Sequence, residues 1–283
     1  MLKLVNEGLV SGWDDPRMPT ISGMRRRGYP AIALREFCGK AGVAKRENLI
    51  DIGLLEFCVR QNLNKTTNRM MAVLDPVKVV ITNYPEGKSE DLILINNPED
   101  ESAGSRVVPF SREIYIERAD FREDPPSPKK FYRLGPDRNV RLKGAYIIKG
   151  ESFVKDENGK ITEIHATYYP DSKSGEDTSG VKAKGVLHWV SVPHAKEVEV
   201  RLYDRLFTDE TPTGHEDKDF MEFFNHDSLE VITAYAEPGL AKVNAGDQLQ
   251  FMRMGYFCCD PDSTEDKKVF NRTVTLRDKW KKK

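Results

Sequence analysis

The run Asp51-Ile52-Gly53-Leu54-Leu55-Glu56-Phe57-Cys58-Val59-Arg60-Gln61-Asn62 is followed by Met71-Ala72-Val73 and Val77-Lys78-Val79-Val80-Ile81-Thr82. In the first run Leu54, Leu55, Cys58 and Val59, continued by Leu63, fall on one helical face, and Asp51 favours the N-terminus. In the later runs β-favouring residues crowd into short segments broken by Pro and Asn. The period changes from helical to extended near Met70, so helices are expected before it and strands after it.

Upstream, Leu2, Leu4, Val5 and Leu9 give residues 1–11 a partial apolar face, as in the tail of a helix. The chain begins inside patterned sequence, so further sequence is expected before it. Thr20 suits the cap of a helical turn over Ser22–Arg27, and Gly28 suits its end. Pro30 suits a first helical position, with Ile32, Leu34, Phe37 and Cys38 on one side of a helix stopping near Gly42. These segments predict a small helical domain closing near Asn64–Asn68.

Downstream, extended runs recur at Leu92–Ile95, Ile114–Arg118, Val140–Ile148, Ser152–Lys155, Lys182–Val190, Val198–Leu206, Leu229–Ala236, Gln248–Cys258 and Val269–Thr275. The Asn158-Gly159 pair between Ser152–Lys155 and Ile161–Tyr169 signals a hairpin. Many short strands with turn-rich breaks predict closed or partly closed antiparallel barrels. Asp124–Pro128 reads as a Pro-rich turn, Asp171–Gly180 as a mobile acidic loop, and Lys281–Lys283 as a basic tail. No internal repeat is visible.

Length and composition, 283 residues with 39% hydrophobic and 31% charged, allow two or three ordinary folded domains. A net charge of -1 requires any anion-binding surface to be a local patch. Cys38, Cys58, Cys258 and Cys259 form neither a disulfide framework nor a zinc spacing, which points to a reducing, cytosolic setting. No leader pattern and no apolar run of membrane-spanning length argue against secretion and spanning.

No phosphate-binding Gly-rich loop, dinucleotide fingerprint or serine elbow is present, and the five histidines lack metalloprotease spacing. Asp14-Asp15 is better read as an exposed cap or a salt-bridge partner for Arg17 than as a magnesium site, and His188 as a strand-end histidine bonded to backbone. The polar set is more informative. Arg17, Arg25, Arg26 and Arg27 suit RNA-backbone contact, or a solvated helix end. Arg69 stands alone at the helix-to-strand junction; Arg141 and Lys143, two apart, share a strand face. Gln250 and Arg253 carry donor patterns that match base edges, Arg133 lies with Arg138, Arg141 and Lys143 around Gly135, and Tyr132 suits stacking. A folded RNA is the leading partner; a protein-interaction module and an isolated hydrolase are the alternatives.

Gly12–Thr20 with Ile21–Tyr29, Arg69–Pro76, Gly104–Phe121, Val140–Lys149, Lys184–Val190, Arg201–Phe207, Gly255–Cys258 and Val269–Trp280 together resemble, in order, the C-terminal half of bacterial glutaminyl-tRNA synthetases. Glutamyl enzymes share the headpiece, and some share the barrels. The resemblance implies a class I ligase using ATP and magnesium, whose HIGH-type and KMSKS-type motifs do not occur in this chain. It therefore implies a catalytically inactive piece without the catalytic domain or a cofactor of its own: a cytoplasmic monomer that binds tRNA(Gln).

The implied architecture is a helical connecting subdomain (1–68), a proximal anticodon-binding barrel (69–109 and 191–283) and a distal barrel inserted in it (110–190). The implied roles are Arg69 and Gln250 on the central anticodon uridine, Arg133 on the third-position guanosine, and Arg141 with Lys143 around the first position. Tyr132 and Arg253 fall at neighbouring contacts. The family has Lys at the position of Tyr132 and Arg at that of Lys143, so stacking replaces a cation in one place and a planar fork is lost in the other.

Overall fold

The computed structural model describes residues 1–45, 48–124 and 132–277. Helices α1 (Leu2–Asn6), α2 (Ile21–Arg27), α3 (Ala31–Ala41) and α4 (Ile52–Thr66) come first. Thr20 caps α2 by accepting from Gly23 N at 2.9 Å, and Gly28 ends it at φ 92°. Only glycine fits there: a Cβ would stand 2.4 Å from Cys258 Cβ. On α3 the buried residue is Ala33, with Leu34 and Phe37 half-buried; Ile32 and Cys38, expected on the same face, are exposed. The helices do not make a self-contained domain. Leu55, Cys58, Val59 and Leu63 share a core with Tyr29, Ala33, Tyr256 and Val274, the last two from strands.

Sixteen strands follow among the described residues. The first sheet orders β1 (Asn68–Met70), β14 (Gln248–Phe251), β15 (Gly255–Cys259), β16 (Lys268–Val274), β12 (Lys196–Tyr203), β13 (Leu229–Ala236) and β2 (Ala72–Val73). The second orders β10 (Gly185–Leu187), β7 (Asn139–Leu142), β8 (Ile147–Lys155), β9 (Ile161–Tyr168), β3 (Pro76–Ile81), β6 (Glu113–Glu117) and β11 (Val190–Ser191). A ribbon of β4 (Ser89–Ile95) and β5 (Ser105–Ser111) stands beside them.

In each sheet the two edge strands are neighbours in the chain, separated by Met71 in the first and by His188 and Trp189 in the second. One bent segment thus supplies both edges, which curls the sheet on itself and leaves little open edge. The sheets are mixed, which corrects the expectation of antiparallel barrels: β1–β14, β12–β16, β3–β9 and β7–β10 are parallel. These pairs join distant parts of the chain, where no tight hairpin dictates direction. The Asn158-Gly159 hairpin forms as expected, between β8 and β9, with Gly159 at φ 77°.

The whole second sheet lies in sequence between β2 and β12 of the first. The handover falls between Val73 and Pro76 rather than at residues 109 and 110. β3 sits inside the second sheet, and Leu92, Leu94, Val108 and Phe110 of the ribbon share its core with Ile114 and Trp189. Residues 70–74 form a common wall: Met70, Ala72 and Leu74 pack in the first core, Met71 and Val73 in the second. Strand alternation lets one segment serve both.

Two long extended runs prove to be strand pairs. Val140–Ile148 turns at Gly144 (φ 70°), and Gln248–Cys258 turns at Arg253 (φ 68°). β5 was not anticipated from its sequence, which carries Pro109. Residues 125–128 of the Pro-rich stretch and the Lys281–Lys283 tail lie outside the described residues.

Candidate nucleic-acid interface

Where α4 meets the first sheet, Phe57, Arg60, Gln61, Asn64, Arg69, Gln250, Tyr256 and Leu276 line a cleft of about 450 Å³. Arg69 and Gln250 are register partners in the β1–β14 pair, and Gln250 faces Tyr256 across β14–β15. Asn64 Oδ1 accepts from Tyr256 Oη at 3.2 Å and from Arg69 Nη2 at 3.3 Å. Glu99 stands 3.9 Å from Arg69. Burial raises the Tyr256 pKa, keeping the phenol a donor.

Two guanidinium nitrogens here, Arg60 Nη1 and Arg69 Nε, are buried without a hydrogen bond, although Arg60 Nη1 is ion-paired with Glu56 Oε2 at 3.5 Å. Leaving such a donor unsatisfied costs about 1–3 kcal/mol, and a ligand acceptor entering the cleft would recover it. Arg60, Asn64 and Tyr256 were not singled out from the sequence. Arg60 reads there as an ordinary polar residue on α4, and only packing against β14 and β15 turns it into the cleft.

Arg133 does not line this cleft. It lies on the second sheet's side, its Nε 3.2 Å from Asp120 Oδ1 and its Nη1 donating to Ala119 O at 2.8 Å. Arg253, at the turn after Gln250, grips the same Asp120 with Nη1 and Nη2. Burial lowers the Arg253 pKa, but the bonds to Asp120 outweigh it and raise the value overall. Tyr132 is exposed, with Lys184 Nζ 5.8 Å from its ring. Its carbonyl presses on Gly185, where a Cβ would come within 1.8 Å.

Arg141 is tied down: Nη1 donates to Ser172 O at 2.7 Å and to Ser174 Oγ at 3.3 Å, and Nη2 pairs with Asp177. The Asp171–Gly180 loop, expected to be mobile, is held by these bonds and by Thr178 N to Asp171 O and Ser174 N to Ala145 O. Lys143 lies one residue beyond the end of β7, exposed, so it does not share a strand face with Arg141 as its spacing suggested.

The headpiece arginines divide. Arg17 is half-buried and bound to Asp15 (2.7 Å), Ser228 Oγ (3.1 Å) and Leu9 O (3.1 Å). Burial alone would raise the Asp15 pKa; bonds from Arg17 and Ser11 outweigh it and hold the carboxyl at about 2. Arg26 joins Asp14, Asp260 and Asp262 at 2.9–3.0 Å, and these bonds raise its pKa. Arg27 donates to Thr273 O and lies over the Tyr29 and Tyr203 rings. These three brace the helical region against the first sheet. Arg25 stays exposed. His188 bonds side chains rather than backbone: Glu117 and Arg253, each at 3.3 Å.

Residues 67–169 and 186–260 match two models of the anti-codon binding domain of class I tRNA synthetases (E and Q), and residues 1–65 match the catalytic-domain model of that family. Over 283 residues the chain is 54% identical to a glutamine–tRNA ligase of Rhodopirellula baltica, covering all of this chain and 47% of that protein. It is 53% identical over 281 residues to one of Vibrio parahaemolyticus and 50% identical over 282 residues to one of Clostridium perfringens, covering 99% of this chain and 50% of each relative. The chain spans about half the length of the curated relatives it matches.

The match of residues 1–65 overturns the expectation that the catalytic domain is absent and that the chain is an inactive anticodon-binding piece. The HIGH-type and KMSKS-type motifs are short and local, whereas the domain's fold continues through helices that carry neither, so their absence was a poor guide to its limits. Three models of class I tRNA synthetases (E and Q) thus match the chain in order along most of its length.

Proposed function

We propose that this chain recognises the anticodon of tRNA(Gln) as part of a glutamine–tRNA ligase. The observation that carries this is the cleft between α4 and the first sheet, where Gln250 stands with Arg60 and Arg69, each of which keeps a buried guanidinium nitrogen outside any hydrogen bond. A uracil presents two carbonyl acceptors and one imide donor. Arg69 and Arg60 would serve the carbonyls, the Gln250 amide oxygen the imide, and Phe57 or Tyr256 the ring face.

Arg133 reads a guanosine at the third position, presenting two donors to its O6/N7 edge. Arg141 and Lys143 attend the first position, Lys143 as a point charge without the fork of arginine. Tyr132, exposed beside Lys184, stacks on a neighbouring base. The relatives named above are all glutamine enzymes, which favours glutamine over glutamate.

ATP and magnesium belong to this proposal for the whole protein. Among the described residues no group of three or more His, Cys, Asp or Glu side chains is placed to hold a metal ion, so no step is assigned through either. No described helix is long and apolar enough to cross a membrane. A monomer working in the cytoplasm completes the reading.

The test is a binding titration of the 283-residue chain with tRNA(Gln), tRNA(Glu) and their anticodon exchanges at several salt concentrations. Preference that follows the glutamine anticodon, with affinity falling steeply as salt rises, is expected. Equal binding of both anticodons would reduce the surface to general charge attraction.

A further inference from the structure

A continuous run of polar contacts joins the two sheets, and the roles above leave most of it unused. Asp120 is 1% exposed, so its charge is tolerated only with partners. One partner is Arg133, through Nε at 3.2 Å; the other is Arg253 from the first sheet, whose Nη1 and Nη2 take both carboxylate oxygens. Arg253 holds φ 68°, a left-handed conformation costly for a residue with a side chain. Its Nη1 also meets His188, whose other nitrogen meets Glu117. Glu117 in turn accepts from Leu74 N at 2.7 Å and Asp75 N at 3.1 Å, at the handover between sheets.

We propose that Asp120 is a positioning residue for base readout: clamped by Arg253 from the other sheet, it sets the plane in which Arg133 offers its guanidinium to a guanine edge. The side chain of Arg133 is 44% exposed, and an arginine so exposed explores many rotamers when untethered. Two parallel donor bonds need one defined plane. Anchoring Nε on Asp120 and Nη1 on Ala119 O defines it. Arg253 then acts as a brace within the protein, not as an RNA contact. The inference rests on the assignment of Arg133 to the third anticodon position.

The experiment compares the wild-type chain, Asp120→Asn and the double variant Asp120→Asn/Arg253→Gln. The double variant removes both charges together, so no lone buried charge is left if the single variant fails to fold. Each is titrated with tRNA(Gln) carrying every base at the third anticodon position and, separately, at the central one. A wild-type preference for guanosine of about 5- to 150-fold, typical of an arginine–guanine pair, is expected to fall several-fold toward no preference in the variants. Central-position preference is expected to persist, which a general loss of structure would not allow. Undiminished third-position preference in a folded variant overturns the positioning role alone. A wild-type chain indifferent to the third base overturns the Arg133 assignment, and the inference with it.

Discussion

The first and second sheets run their strands in the same succession of directions, each with both edges supplied by one bent segment, yet they hold their candidate arginines in different states. Against the first sheet, α4 closes a cleft in which Arg60 and Arg69 keep buried donors outside any hydrogen bond. On the second, Arg141 is already bonded to Ser172, Ser174 and Asp177, and Arg133 to Asp120 and Ala119. The difference comes from what covers each sheet. A helix with its own side-chain spacing packs on the first and leaves polar atoms over. The second is lined by its own acidic loop, whose Asp177 is supplied locally. Carboxylates stand near both sites, 3.5 Å from Arg60 and 3.9 Å from Arg69 on the first against 3.2 Å or closer on the second, so a ligand entering the second displaces the tighter pairs.

The comparison presumes that the two sheets are one unit, and the seam is where it breaks most easily. Glu237 is buried, pairs with Arg106 and accepts from Met71 N at 3.0 Å. Glu237→Ala strands the Arg106 charge and an amide of the common wall, and is expected to cost about 3–5 kcal/mol in urea unfolding. A loss below 1 kcal/mol would mean the sheets hold together without it.

Acid should loosen the helical region's grip on the first sheet. The Asp15 pKa in the folded chain, about 2, lies below its ordinary 3.8, so the ionised form stabilises the fold. That contribution, about 2 kcal/mol, is complete above roughly pH 4 and disappears as pH falls through the folded value. Asp15→Asn is expected to be less stable than wild type by this amount at neutral pH, with the two melting curves converging near pH 2. A gap that persists undiminished at that pH would assign the loss to packing.

Arg60 sharpens the contrast between sites. Arg60→Gln keeps a donor but loses the charge, and is expected to weaken RNA binding by about 1–2 kcal/mol, mostly at the central anticodon base. The smallest effect is of opposite sign: Asp177→Asn releases Arg141 and removes a negative charge, so binding is expected to tighten about twofold. If both substitutions weaken binding equally, the two sheets do not differ in the way described.

Much of the local structure was legible because it depends on neighbours in the chain. Thr20 and Gly28 bound α2, Asn158-Gly159 turns β8 into β9, and the Leu55, Cys58, Val59 and Leu63 stripe marks the buried face of α4. Arg69 and Gln250, paired across β1 and β14, share one cleft as a recognition surface requires. The bonds of Arg17, Arg26 and Arg27 were not legible because a run of arginines looks the same whether it faces solvent or carboxylates brought from far along the chain, such as Asp260 and Asp262. Cys38 misled because helical spacing names a stripe without saying which side of it the neighbouring element covers.

The amino-acid sequence by itself determined where helix gives way to strand, where the turns fall and which family the chain resembles, since these follow from spacing, capping and glycine placement within a few residues. Only the tertiary structure decided that distant strands pair in parallel, that residues 70–74 wall two cores at once, and that Asp120 and Arg253 meet across the sheets. Those outcomes depend on long-range contacts and on burial, and a charge acquires its role from the partner that reaches it when water is excluded.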